Sequence, residues 1–234
     1  KVAIVTGAAR GLGRAYAEAL ASEGAAVVAA DINDCGDTVA DIEAAGGRAV
    51  ASALDVSDSD SCAAMAALAA ETFGRIDILI NNAALYAGLR GARFENLDEQ
   101  QWDQVMQVNI KGTWLTSRAV VGCMRESGDG GSIINIASLA AVFGLPYGLD
   151  YVASKAAVIG MTRGMARELG PDHIRVNAVA PSAVMTEGTA EFFGEKFEKA
   201  KTVIAANQLI PRNLETADLT GTIIYLASDA SRFV

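Results

Sequence analysis

A short apolar strand that runs straight into a glycine-rich turn, and from there into a strong helix former, fixes how this chain begins to fold. Lys1-Val-Ala-Ile-Val-Thr6 has the pattern of a buried strand, Gly7-Ala-Ala-Arg-Gly11-Leu-Gly13 that of the turn, and Arg14 through Glu23 that of the helix. This order points backbone N–H groups and a helix N-terminus at one spot beyond the strand end, an arrangement suited to a phosphate. Gly7 would allow the tight turn, Gly11 the close approach of a pyrophosphate, and Gly13 the close packing of helix on strand. The spacing is Gly-x-x-x-Gly-x-Gly. Glycines alone serve any tight turn; the strand before and the helix after make this reading specific.

The alternation continues along the chain. Strands are expected near residues 2–6, 25–30, 48–54, 76–81, 132–137 and 174–179. Helices are expected near 11–23, 35–46, 58–73, 98–127, 151–169, 188–206 and 215–228. Alternating elements of this kind imply an α/β fold, a single doubly wound parallel sheet of Rossmann type with helices on both faces. One domain over 1–234 is expected, with a substrate loop and helix at about 182–206. Ligands of such sheets lie along the carboxyl ends of the strands. The glycine turn, Asp31, Asp55, Asn82, Ser138 and Pro181 all follow expected strand ends, so they fall on one rim.

Asp31 ends the second strand, eighteen residues past Gly13, close to the spacing of a carboxylate that binds an adenosine ribose. It would accept hydrogen bonds from the 2′- and 3′-hydroxyls and repel a 2′-phosphate, so NAD is the expected cofactor. Arg10 in the glycine turn cuts the other way, because a basic residue there can approach a 2′-phosphate. No basic residue follows Asp31, where Ile32-Asn33-Asp34 stands.

Tyr151-Val-Ala-Ser-Lys155 carries the chemistry, with Ser138 thirteen residues upstream. Residues four apart share one helix face, so an ammonium at Lys155 would lie beside the Tyr151 phenol. A phenol ordinarily ionises near pH ~10. An adjacent cation favours its ionised form, and Lys155 with a cationic nicotinamide would bring it into general acid/base range. Tyr-x-x-x-Lys is common on amphipathic helices, so its weight comes from the phosphate turn and the serine that accompany it.

Composition removes competitors. With 51% hydrophobic and 20% charged residues, the chain can bury one substantial core. It shows no apolar run of membrane-spanning length and no charged leader before an apolar core, so a cytoplasmic protein is expected. Cys35, Cys62 and Cys123 are odd in number and scattered without metal-ligand spacing, as reduced buried thiols would be. His173 is the only histidine, which leaves no material for a histidine metal site or a Ser-His-Asp triad. A net charge of −9 opposes nucleic-acid binding.

Taken together, these motifs make the chain resemble the short-chain dehydrogenase/reductase family from end to end. The resemblance rests on Thr6-Gly7-x-x-x-Gly11-x-Gly13, Asp55-Val56, Asn81-Asn82-Ala83-Ala84, Asn109, Ser138, Tyr151-x-x-x-Lys155 and Pro181 through Thr186. It implies cofactor contacts from Gly7, Arg10, Gly11, Leu12 and Gly13, from Asp31 and Ile32, and from Asp55 and Val56 at the adenine. Asn82, Ala83 and Ala84 match the family's Asn-Ala-Gly, with Ala84 in place of glycine. Pro181, Val184 and Thr186 match the segment that holds the nicotinamide carboxamide, with Ser182 in place of glycine. Tyr151 is implied as general acid/base and as a cofactor contact, Ser138 as the group that binds the substrate oxygen, and Lys155 as the residue that tunes Tyr151 and binds the ribose. Asn109 is implied to hold a water in a proton relay, although an asparagine in a long helix can simply mark a kink. Family members continue past Val234 into a seventh strand absent from this sequence, which is read as missing residues rather than a natural truncation. A homodimer or homotetramer is implied.

The substrate wall is expected from Tyr86, Ser138, Leu139, Phe143, Tyr147 and Met185, with Val142, Leu145, Phe192 and Phe193 nearby. This apolar, aromatic set suits an uncharged secondary alcohol or ketone, and several of its members could equally pack the core. Two other readings stay open. One is an NADPH-dependent 3-oxoacyl-carrier-protein reductase, opposed by Asp31 and supported by Arg118 and Arg125 as docking groups. The other is a non-catalytic NAD-binding regulatory protein, opposed by the full set of Asn109, Ser138, Tyr151 and Lys155.

Overall fold

A computed structural model describes all residues 1–234. Six strands, β1 (Val2–Thr6), β2 (Ala26–Asp31), β3 (Arg48–Ala53), β4 (Ile78–Asn81), β5 (Gly131–Ile136) and β6 (Ile174–Val179), form one sheet. Its order is β3-β2-β1-β4-β5-β6, and every pairing is parallel. The chain winds outward from β1 to β3, then returns across β1 to continue through β4, β5 and β6. The direction of winding therefore reverses between β1 and β4, and a crevice opens there at the carboxyl ends.

Strand alternation divides the core between the two faces. Ala3 and Val5 of β1, Val27 and Ala29 of β2, and Ile78 and Ile80 of β4 face α1 (Gly11–Ser22), α2 (Gly36–Ala44) and α10 (Ala217–Ala227). Ile4, Val28 and Leu79, the intervening residues, face α3 (Ser59–Phe73), α5 (Thr113–Glu126) and α7 (Leu149–Leu169). Both faces are thus covered, which explains why these strands read as continuous apolar runs. No helix is long and apolar enough to cross a membrane.

The long helix expected at 98–127 is instead α4 (Glu99–Val105), a π-helical segment Met106–Gly112, and α5. Asn109 sits inside the π segment, 1% exposed. Its side-chain oxygen accepts from the Leu85 N–H at 2.8 Å, and its amide nitrogen donates to the Leu85 carbonyl at 3.2 Å and to Ser154 Oγ at 3.0 Å. The π turn thus lies where this side chain is held against the segment after β4 and against α7, and such turns are frequent at functional sites. Gly112 ends the segment where a Cβ would lie 2.7 Å from Val56 Cγ2, so only glycine allows this approach. The helix expected at 188–206 is also divided, into α8 (Glu187–Phe193) and α9 (Phe197–Asn207), because Gly194 takes a φ of 51° between them. A short helix, α6 (Ala140–Phe143), was not expected from the sequence.

Beneath the crevice runs a buried polar network. The Asn81 amide donates to Ser117 Oγ and to Asn135 Oδ1, both at 2.9 Å, and Thr116 donates to Asn81 Oδ1 at 2.6 Å. Asn135 in turn donates to Thr162 Oγ1 at 2.9 Å, so β4, β5, α5 and α7 are locked together just below the rim. Tyr16 on α1 is the contrast: fully buried, with a hydroxyl that finds no partner. An unpaired buried hydroxyl costs about 1–3 kcal/mol. Tyr16→Phe is therefore expected to stabilise the fold by about 1 kcal/mol, seen as a higher urea midpoint at unchanged m-value. A lower midpoint would show that the hydroxyl is satisfied in solution.

Candidate active site

The expected rim residues come together around two adjoining cavities. One, of about 320 Å³, is lined by Gly7, Arg10, Asp31, Ile32, Asp55 and Val56, together with Asn82, Ala83 and Ala84. The other, of about 570 Å³, is lined by Leu12, Ser138, Tyr151, Lys155, Pro181, Val184 and Thr186 among others. Asn82, Ala84 and Tyr86 border both, so the two form one trough from the end of β2 to the loop after β6.

The glycine turn has the local geometry its sequence implies. Gly7 and Gly11 have φ of 68° and 57°, in the left-handed region that favours glycine. A Cβ on Gly13 would lie 1.9 Å from the Gly7 carbonyl oxygen, so Gly13 serves helix–strand packing and does not line either cavity. Asn82 braces the turn from β4, its amide donating to the Thr6 carbonyl at 3.0 Å and the Gly7 carbonyl at 3.2 Å. Asp31 is fixed by the Ala9 N–H on one oxygen at 3.1 Å and by the Asn33 N–H and amide on the other at 2.9 and 3.1 Å. A carboxylate has about four acceptor sites, so capacity remains for a ribose diol. Asp55 accepts from the Ser57 N–H and hydroxyl at 2.8 and 2.7 Å, a turn-forming role that coexists with its place in the cavity wall. A glycine turn with two left-handed residues beside a cavity that holds an anchored carboxylate fits a dinucleotide.

In the larger cavity, Lys155 is 4% exposed and donates from Nζ to the Ile136 carbonyl at 2.7 Å. Burial pulls its pKa down to about 8. Its Nζ stands 5.8 Å from the Tyr151 ring centroid. Burial also pushes the Tyr151 phenol up to about 12, against an opposing hydrogen bond with Ser138. The depressed phenol expected with a cationic nicotinamide is thus not a property of the chain alone: desolvation of the buried ring outweighs the Ser138 hydrogen bond, and the Lys155 ammonium is turned toward a backbone carbonyl.

The Tyr151 ring packs on Tyr86 at 5.2 Å, and Tyr86 stacks on Phe192 of α8 at 4.7 Å. Thr189 joins this wall to the cofactor side, donating to the Val184 carbonyl at 2.6 Å. Tyr86, Ser138, Leu139 and Phe143 line the cavity as expected. Tyr147 and Met185 do not. Tyr147 has a φ of 66°, accepts from the Ala92 N–H and points outward, 65% exposed. Met185 is absent from the lining although Val184 and Thr186 on either side belong to it; its N–H donates to the Leu214 carbonyl at 2.9 Å. Ile204, Asn207 and Gln208, around the end of α9, complete the wall and carry no motif by which the sequence could have marked them.

A Rossmann-type crevice with this constellation defines a dinucleotide-dependent oxidoreductase class, and the comparisons with known proteins agree. The family model described as enoyl-(acyl carrier protein) reductase, adh_short_C2, matches residues 7–234. A 3-oxoacyl-[acyl-carrier-protein] reductase of Thermotoga maritima is 37% identical, covering 100% of this chain and 93% of that protein. A D-threitol dehydrogenase of Mycolicibacterium smegmatis is 39% identical, covering 100% and 88%. A carveol dehydrogenase from Mycobacterium avium, solved in complex with NAD, superposes with a TM-score of 0.92 at 31% identity, covering 100% of this chain and 93% of that one. The chain belongs to the short-chain dehydrogenase/reductase family.

Proposed function

We propose that this protein interconverts an uncharged secondary alcohol and its ketone, with NAD(H) as cofactor. The observation that carries this reading is the convergence of Ser138, Tyr151 and Lys155 on an apolar cavity continuous with the one that holds Asp31. Gly7, Gly11, Asp31, Val56, Asn82, Val184 and Thr186 would hold the dinucleotide along the trough. When bound, the nicotinamide supplies or accepts the hydride and, in its oxidised form, adds a positive charge beside the phenol. Tyr151 gives its phenolic proton to the ketone oxygen in reduction and takes the alcohol proton in oxidation. Ser138 hydrogen-bonds the same oxygen and stabilises its developing charge. Lys155, anchored by one donor on the Ile136 carbonyl, would offer its remaining N–H groups to the ribose hydroxyls. Asn109, whose side chain is spent on Leu85 and Ser154, acts through position, keeping the helix carrying Tyr151 in register with the segment after β4.

The parallel rings of Tyr86 and Phe192 suit an aryl or alicyclic ketone. NADPH-dependent reduction of a 3-oxoacyl carrier protein is the competing reading, supported by the Thermotoga maritima relative. Asp31 and a net charge of −9, unfavourable for docking an acidic carrier, weigh against it. The deciding assay follows nicotinamide absorbance with NADH and NADPH separately, against cyclic and aryl ketones and 3-oxoacyl thioesters. Ketone turnover with NADH is expected. NADPH-selective thioester reduction would replace this reading with its competitor, and binding without turnover of any of these would favour a regulatory NAD-binding protein.

A further inference from the structure

Arg10 is the only cation lining the cavity that Asp31 borders. It follows Ala9, whose N–H donates to Asp31, so its guanidinium starts next to the carboxylate expected to bind the ribose. A dinucleotide carrying a 2′-phosphate would need that cation. The guanidinium is engaged elsewhere: Nη2 donates to Glu191 Oε2 at 3.1 Å and Nη1 to Glu191 Oε1, a two-pronged ion pair reaching across 181 residues to α8. Glu187, on the same helix, also faces the turn, with Oε2 at 3.7 Å from where a Cβ on Gly11 would stand.

We propose that Glu191 is a cofactor-specificity residue: by holding Arg10 with both carboxylate oxygens, it denies a 2′-phosphate its one nearby cation and reinforces the exclusion begun by Asp31. This rests on the reading of the trough as an NAD site. It makes discrimination a shared property of the β2 end and the substrate loop. The pair is about half exposed at each end (50% and 47%), so its contribution is modest and easily read by substitution.

The test is direct titration of NADH and NADPH, by nicotinamide fluorescence or calorimetry, with no substrate present. Wild type is expected to bind NADH more tightly. Glu191→Gln is expected to lower the NADPH Kd about two- to fivefold while leaving the NADH Kd nearly unchanged. Adding Arg10→Ala to it should return the NADPH Kd to the wild-type value or above. Glu195→Gln removes the same charge from the same loop without touching Arg10, and should leave the ratio of the two constants unchanged. Equal effects of Glu191→Gln on both cofactors, or an equal gain from Glu195→Gln, would overturn the proposal while leaving the NAD reading intact. A wild type that prefers NADPH would overturn the NAD reading, and this inference with it.

Discussion

Tyr151→Phe is expected to lower turnover about 10²–10⁴-fold in either direction, the range that a positioned general acid/base contributes, with the NADH Kd changed less than about twofold. The substitution removes one atom, the phenolic oxygen. The ring that packs on Tyr86 at 5.2 Å and closes the cavity wall is retained, so folding and cofactor binding have no reason to change. The pH dependence offers a second reading of the same group. With burial pushing the phenol to about 12, Tyr151 keeps its proton throughout the neutral range. Ketone reduction, which consumes that proton, should therefore be flat from pH 6 to 8, on the order of the neutral range in which a group titrating so high stays protonated. Alcohol oxidation needs the ionised phenol and should rise with pH over the same span. A phenylalanine variant retaining more than about a tenth of wild-type turnover would remove Tyr151 from the role of acid/base. A lowered NADH affinity of the same size as the rate loss would make it a binding residue instead.

Much of this architecture was legible because buried parallel strands must be apolar on both faces, which leaves unbroken runs such as Val2 to Val5 and Ala26 to Ala30. Their alternation with helices fixed the winding, and the winding placed the ends of β1, β2, β4 and β5 on one rim. The rim residues were legible for the same reason: the glycine turn, Asp31, Asp55, Asn82 and Ser138 follow strand ends, whereas Tyr151 and Lys155 lie on α7 and were read from their spacing alone. What stayed hidden depends on partners remote in the chain. Asn109 declares a polar residue in a helix, but not that it will meet Leu85 and Ser154 from within a π turn. Arg10 shows a cation in a phosphate turn, but not that Glu191 occupies it. Proximity along the chain suggests Met185 and Tyr147 for the cavity wall, but neither lines it, and Tyr147 takes a positive φ and is largely exposed. Spacing likewise identifies a lysine near Tyr151 but not the depth at which both are buried, and that burial pushes the phenol up.

Lys155→Met is expected to make the protein more stable at neutral pH while abolishing turnover, and the cause is the same burial. A lysine whose pKa falls from 10.5 to about 8 on folding opposes the folded state wherever it must carry its proton. The shift corresponds to about 3 kcal/mol, with little solvent relief, since the side chain is 4% exposed. Below pH 8, folded and unfolded chains both hold the proton and the full penalty applies. Between 8 and 10.5 the unfolded chain binds more protons than the folded one, so the lysine's contribution to stability improves as pH rises. Above 10.5 both forms are neutral and the penalty is gone. Buried Cys35 and Cys62, with thiols pushed to about 12 and about 11, have the opposite slope, so the difference between wild type and variant is the quantity to follow. Methionine fills the same channel without a charge. It leaves the Ile136 carbonyl without its donor, at a cost of about 1 kcal/mol, so the net gain at pH 7 is about 2 kcal/mol. Urea unfolding of both proteins across the alkaline range measures this gain and its decline. A variant less stable at pH 7, with a pH-independent difference, would show that the folded protein solvates the ammonium well. In that case Lys155 would be a structural residue held at no cost, rather than a charge kept against stability for the sake of the phenol beside it.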